Sequence, residues 1–371
     1  MNTQSWRSFD FILLLSVVLL VIIGVAMIHS ATRFSPSPDG VQWDAPVVRQ
    51  LLYGAVGLAL MVIFAAIDYR FWRGANWLIY AVMLLLLLAL FIVGQVSFGA
   101  RSWLDLTLFP MQPSELSKVL LILVLAKYLG DHSEDNGSFR HIPATLILAA
   151  PPIALTYLQP DMGTALVMVA IWLGMVFASG TRISNLLLIG LAGGVAAPVV
   201  WSSIKPYMRD RIVTFFSPGA DLLGASYNTQ QAVISIGSGG LWGKGFGQGT
   251  QSQLQFLRVR HTDFVFSVLA EEMGFIGSVV LLVLLALLLL RVLRVAQVAR
   301  DSYGRLIACG VATMLLFQSL VNLGMNVNLL PVTGLPLPLV SYGGSSLVNT
   351  LIAVGLVESV AVRHRELGFG I

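Results

Sequence analysis

Residues Phe11 to Ile28 read FILLLSVVLLVIIGVAMI, an unbroken apolar run without a single charge. A helix rises 1.5 Å per residue, so a run of this length approaches the ~30 Å hydrocarbon thickness of a bilayer. It is long for the apolar part of a secretion signal and no small-x-small cleavage pattern follows it, so it reads as a retained first span. Working outward, similar stretches recur, giving candidate spans at 10–30, 48–67, 77–96, 114–129, 141–158, 163–179, 184–201, 263–290, 305–329 and 345–363. The expectation is an all-α integral membrane protein of about ten transmembrane helices. Residues 1–371 form a single polytopic membrane domain, with a long extracytoplasmic loop, 202–262, between helices seven and eight.

Composition agrees. The chain is 57% hydrophobic and only 11% charged, with mean hydropathy +0.84. A soluble domain carries roughly a quarter charged residues, so a water-facing surface could not be built at this length. The net charge of +4 is scattered between apolar stretches, which fits membrane topology and not a nucleic-acid surface. Twelve Lys and Arg residues fall in loops on the side of the termini, among them Arg70, Arg73, Arg291, Arg294 and Arg363, against Arg33, Arg49 and Arg101 in the short loops opposite. That asymmetry puts both termini in the cytoplasm. The single cysteine, Cys309, excludes a disulfide framework and a cysteine-rich metal site. No internal repeat supports an inverted-repeat transporter.

The residues that could carry chemistry gather toward the extracytoplasmic side. His261-Thr262-Asp263 opens helix eight, where Thr262 or Asp263 can cap the helix, and where a boundary carboxylate can also act as a general base on a bound hydroxyl. Glu271 and Glu272 lie deeper in that helix and need partners. Glu115 and Lys118 share a face of helix four at i, i+3, as an ion pair or a cavity wall. Asp161 sits in the turn Gln159-Pro160-Asp161-Met162-Gly163-Thr164, as a cap or a site residue. The run Ile236-Gly237-Ser238-Gly239-Gly240-Leu241-Trp242-Gly243-Lys244-Gly245 lacks the ending of a P-loop and reads either as a surface turn or as a backbone cradle for an anion. Lys244, Arg209, Arg211, Arg258 and Arg260 are candidate partners for a pyrophosphate, or a basic face near lipid headgroups. Pro336 to Ser346, which includes Ser341, reads as a rigid re-entrant or interfacial loop with Ser345 or Ser346 available as a cap.

Four segments together resemble the SEDS family (shape, elongation, division and sporulation) of bacterial cell-wall polymerases. They are Trp103-Leu104-Asp105 with Gln112-Pro113-Ser114-Glu115-Leu116-Ser117-Lys118; Gln159 to Thr164; Gly237 through Gly249 to His261-Thr262-Asp263-Phe264; and Pro336 to Ser346. Gly249-Thr250-Gln251-Ser252-Gln253 and Gly334 to Leu339 resemble the elongation branch more than the division branch. The sequence departs from the family before His261, where Arg258-Val259 makes the segment more basic. The resemblance implies a peptidoglycan glycosyltransferase that polymerises lipid II at the bacterial inner membrane, with Asp263 matching the family's essential aspartate and Glu115 and Lys118 a cavity-lining pair. It also implies a class B penicillin-binding protein as transpeptidase partner within the elongation machinery.

That chemistry asks for one base, fixed cations for the leaving pyrophosphate and an apolar body for lipid tails. Asp263 as base predicts an inverting single displacement of undecaprenyl pyrophosphate, since no second carboxylate is placed as a nucleophile. Asp161, His261 and Ser341 complete the candidate cavity residues. No metal-ligand spacing occurs, so no tightly bound metal is expected, and Mg2+ or Mn2+ would come with the pyrophosphate. The competing classes are a transporter (flippase) of the lipid-linked precursor and a non-enzymatic scaffold for the penicillin-binding protein.

Overall fold

Long apolar runs without breakers fold as helices because only a helix satisfies every backbone N–H and C=O inside its own segment in lipid. The computed structural model describes residues 9–32, 46–97, 100–105, 110–133, 141–203, 206–216, 225–254, 256–257 and 262–365. Each of the ten expected spans is a helix. They are α1 (Phe11–Thr32), α2 (Pro46–Ala66), α4 (Asn76–Val93), α5 (Pro113–Asp131), α6 (His141–Leu158), α7 (Met162–Ala178), α8 (Ile183–Ser203), α12 (Val265–Val298), α13 (Ser302–Asn326) and α14 (Gly344–Val362). Short helices join them: α3 (Arg70–Gly74), α9 (Pro206–Phe216), α10 (Ala225–Ser238) and α11 (Thr250–Gln253). The long loop 202–262 therefore holds the last three of these. Six of the spans are long and apolar enough to cross a membrane, and α4, α7 and α8 contain shorter apolar helices.

The exception is α5, whose Glu115, Lys118, Lys127 and Asp131 make it the most densely charged of the ten. It tolerates them because it stands inside the bundle, packed on α4, α6, α7, α13 and α14, with both Glu115 and Lys118 buried. The last helix, α14, lies against α2 and is buried along nearly its whole length. By contrast α8 turns Ile183, Leu187, Leu191 and Val195 outward. Between α4 and α5 the helical pattern gives way to three short antiparallel strands, β1 (Gln95–Ser97), β2 (Ala100–Asp105) and β3 (Pro110–Met111), in which Gln95 faces Trp103 and Leu104 faces Met111. Gly94 starts this departure by closing α4 with an extended backbone.

The two ends of the bundle differ. At one end ion pairs and side-chain caps tie the helices together. Asp10 pairs with Arg291, and its N–H donates to Glu358. Tyr69 donates to Asp301, which caps α13 through the N–H of Gly304. Arg363 donates to the carbonyls of Ala65 and Ala66. Because Asp10 begins the first span and Glu358 lies near the close of the tenth, these bonds bring the start of the first span and the close of the last to the same end.

At the other end the 333–345 segment folds back into the bundle. A Cβ on Gly24 would lie 2.5 Å from the carbonyl oxygen of Val340, and Gly24 is about 12 Å inside the Thr32 end of α1. Leu335, Leu337, Leu339 and Val340 are all buried there. The re-entrant reading of this loop holds.

Candidate functional site

The site lies at the end opposite Asp10 and Glu358, where two groups of polar residues meet along residues 332–335. The first group is built on the starts of α5 and α7. Gln112 and Ser114 both donate to Asp161 Oδ2, at 2.9 and 3.0 Å, while Asp161 Oδ1 accepts the N–H of Thr164 at 3.1 Å. Asp161 is therefore the cap of α7 and also the link between the Gln112–Lys118 and Gln159–Thr164 segments. Burial raises its carboxyl above the ordinary range, Thr164 and Ser114 pull it back, and the negative charge of Glu115 pushes it further up. One turn deeper, Lys118 Nζ bonds Glu115 Oε2 at 2.8 Å with both side chains buried, so the expected ion pair is present.

The second group surrounds Asp263. The first residue of α12 is Val265 and its cap position is Phe264, with no side-chain cap bond, so neither Thr262 nor Asp263 stands at the cap position. The Asp263 carboxylate faces Gly334 instead. A Cβ on Gly334 would stand 3.9 Å from Asp263 Oδ2 and 4.0 Å from Arg211 Nη1, and Gly334 has φ +75°. Burial pushes Asp263 up to about 6, with the Arg211 charge and a Thr262 hydrogen bond pulling the other way. Arg211 also donates to the carbonyl of Val332 at 3.4 Å. Arg209, on the same short helix α9, lies over the Trp201 ring at 5.2 Å. The two groups share a wall, since a Cβ on Gly163 would lie 2.9 Å from the carbonyl oxygen of Thr333 and 3.1 Å from the Leu335 side chain.

The glycine-rich run is neither a free surface turn nor an anion cradle. At Gly274 (φ 66°, ψ −161°) α12 kinks. In a straight helix the N–H groups of Phe275 and Ile276 would bond the carbonyls of Glu271 and Glu272. Here Phe275 donates to Gly240 O and Ile276 to Leu241 O, while Glu271 O and Glu272 O accept from the N–H groups of Lys244 and Gly245. Two helical bonds are exchanged for four to the loop. Glycines are needed because backbone meets backbone, and a Cβ on Gly243 would fall 2.1 Å from Glu272 O.

The side chains complete the joint. Lys244 Nζ bonds Glu271 Oε1 at 2.9 Å and Thr250 Oγ1 at 2.8 Å, and Ser30 donates to Glu272 Oε1. Lys244 thus holds the loop to α12, and both deep glutamates are buried by it.

Ser341 is likewise built into its loop. Its hydroxyl oxygen accepts the N–H of Leu337 at 2.9 Å, and its carbonyl accepts from Gln50. The cap of α14 is Gly343, and Ser345 instead accepts the N–H of Gln112. Arg258, Arg260 and His261 lie outside the described residues, as does Arg33. Among the described residues no group of three His, Cys, Asp or Glu side chains converges as a metal site.

Two residues of this site went unread in the sequence. Asn322 and Asn326, one turn apart on α13, both donate to the main-chain carbonyl of Asp263, at 3.1 and 3.0 Å. The signal was available, because an Asn pair at i, i+4 within an otherwise apolar span must find partners inside the protein.

Comparison with known proteins places the chain. The family described as cell cycle protein, FtsW/RodA/SpoVE, matches residues 10–366. The peptidoglycan glycosyltransferase MrdB of Escherichia coli K12 is 37% identical over 99% of this chain and 98% of its own length. A solved peptidoglycan synthase complex, described as coordinating polymerization and crosslinking, contains a chain with TM-score 0.80 and 36% identity, over 96% of this chain and 99% of that one. The rod shape determining protein RodA of Thermus thermophilus gives TM-score 0.70 and 34% identity, over 96% and 97%.

Proposed function

The chain belongs to the FtsW/RodA/SpoVE family, the SEDS family that its motifs resemble, and from that premise we propose that it is a peptidoglycan glycosyltransferase polymerising lipid II during cell elongation. The observation that carries the reading is the Asp263 carboxylate, raised to about 6 and facing Arg211 across Gly334. A base whose pKa lies just below working pH is ionised yet still basic enough to take a proton, which contributes typically 10²–10⁴-fold.

In the step we assign, a sugar hydroxyl of one substrate attacks the anomeric carbon of the other. Asp263 takes the hydroxyl proton as the new C–O bond forms. The bond to the pyrophosphate breaks, and undecaprenyl pyrophosphate leaves with the electron pair, inverting the anomeric centre. Arg211 and Arg209, both exposed on α9, supply fixed positive charge for the leaving group. Lys244, engaged with Glu271, supports the site by holding the 239–250 loop. Glu115, Lys118 and Asp161 form the polar wall on the far side of residues 333–335. Among the described residues one carboxylate, Asp263, faces the Gly334 notch, and we assign Mg2+ or Mn2+ to the substrate's pyrophosphate.

The partner we propose is a class B penicillin-binding protein, supplying crosslinking, as the synthase complex similar to this chain combines both activities. The excess of basic residues at the terminal end favours placing both termini in the cytoplasm and the site on the outer face of the inner membrane. The test is glycan formation from labelled lipid II by the purified protein with its cognate transpeptidase. Polymer is expected. Lipid II crossing the bilayer without polymer would support the flippase instead, and neither activity, with the partner bound, the scaffold.

A further inference from the structure

We infer that Asn322 and Asn326 are positioning residues that hold Asp263 at a fixed place beside Gly334 and Arg211; the inference rests on Asp263 being the base. Both asparagines are fully buried, one turn apart on the same face of α13. A buried amide left unpaired costs ~1–3 kcal/mol, so where its donors point is a specific feature of the fold. Asn322 Nδ2 donates to two main-chain carbonyls at once, Asp263 O at 3.1 Å and Leu335 O at 2.8 Å. Asn326 Nδ2 donates to Asp263 O at 3.0 Å. Its Oδ1 is fixed in turn by the hydroxyl of Ser267 at 2.6 Å and the Ser267 N–H at 3.3 Å.

The geometry has one consequence. Asp263 and the Gly334–Leu335 segment are far apart in sequence, and a single side chain ties their backbones together. The carboxylate is a few bonds from the clamped carbonyl, and Gly334 is next to the other. Asn322 therefore sets the separation between the Asp263 carboxylate and the notch at Gly334, and Asn326 keeps Asp263 from turning about that point. A carbonyl oxygen has two lone pairs and accepts both amides without strain. Neither asparagine brings charge. Among the described residues the charged group facing Asp263 is Arg211 of α9, with the Thr262 hydroxyl beside it; α13 offers only the two amides, and residues 332–335 only main-chain carbonyls and apolar or hydroxyl side chains.

Leucine has the same number and branching of side-chain heavy atoms as asparagine, though its methyls are bulkier, and no donor, so Asn322→Leu and Asn326→Leu release the clamp without opening a cavity. The experiment measures polymerisation of lipid II against pH by the complex with the cognate transpeptidase, with thermal stability and partner binding measured on the same preparations. A displacement of about 1 Å can cost a factor near 10², so a loss of roughly 10–100-fold at neutral pH is expected. The acid limb should also move to lower pH, because a released carboxylate becomes better solvated. An unchanged rate overturns the inference, and so does a loss of rate with the acid limb unmoved, which would mean bundle packing alone. Should a leucine variant fail to assemble, Asn322→Ser, which keeps one donor, is read by the same two criteria. Asp263→Asn is the accompanying control. If it polymerises normally, the reading of Asp263 as base has failed. If it is inactive while the leucine variants behave as wild type, only the present inference has failed.

Discussion

Asp263, just ahead of α12, and Arg211 of α9 meet at one glycine, each within about 4 Å of where a Cβ on Gly334 would stand. The carboxylate is raised by burial and lowered by that guanidinium, so the pair sets the working range of the base. The rate of polymerisation should fall as pH drops through about 6. Arg211→Ala removes the charge that holds Asp263 down, so the acid limb should move to higher pH, and Arg211→Lys should move it less. A pH–rate profile on wild type and both variants measures this; an unmoved limb in Arg211→Ala would contradict it. Stability has the opposite sign. With its folded value above the ordinary 3.8, Asp263 favours folding more as pH falls from about 6 toward 3.8, and that gain is lost as pH rises through the same window.

Gly334 itself is the second test. Its φ of +75° costs an L-residue roughly 1–2 kcal/mol, while a single methyl would touch Asp263 and Arg211 only at contact distance. Gly334→Ala should therefore lose a few degrees of thermal stability and part of its activity. Gly334→Val fills the space between the two charged groups and should abolish polymer formation while the complex still assembles. Full activity in the valine variant would show that substrate does not use this space.

The buried pair in α5 separates structure from function. Lys118→Met leaves Glu115 without its partner in the bundle, a loss of about 3–5 kcal/mol for a buried pair. The double variant Glu115→Leu with Lys118→Met should recover most of the thermal stability. If the pair faces substrate, that stable double variant remains inactive; wild-type turnover would make the pair purely structural.

At the joint between α12 and the glycine-rich loop, Gly274→Ala places a Cβ 2.3 Å from the nitrogen of Gly243 and forces a backbone conformation nearly exclusive to glycine. The loop should undock, and limited proteolysis should then cut within 240–250, where wild type resists. Equal protection in both would mean that the four exchanged hydrogen bonds do not hold the loop.

The ten spans were legible because hydropathy and length leave a chain in lipid no alternative to helices. Asp263, Asp161 and the Glu115–Lys118 pair were legible because charge at membrane depth demands a reason. The loop 236–245 was misread since glycine permits close approach to an anion and to a backbone alike, and composition does not say which arrives. The cap reading held at Asp161 but not at Ser345 or Asp263, for a related reason. Ser345 and Asp263 each have a better use through contacts distant in sequence, with Gln112 and with the Gly334 notch. Asn322 and Asn326 were passed over because they are neutral, although in an apolar helix a buried amide carries nearly as much information as a charge.

The most direct measurement compares wild type with Asp263→Asn, each purified with its cognate transpeptidase, for glycan strands formed from labelled lipid II at a pH above the Asp263 midpoint. Asparagine keeps the size and the clamped carbonyl but cannot take the proton, so both complexes should form and only wild type should polymerise. Strands of equal length and amount from both would remove Asp263 from the chemistry and contradict the account.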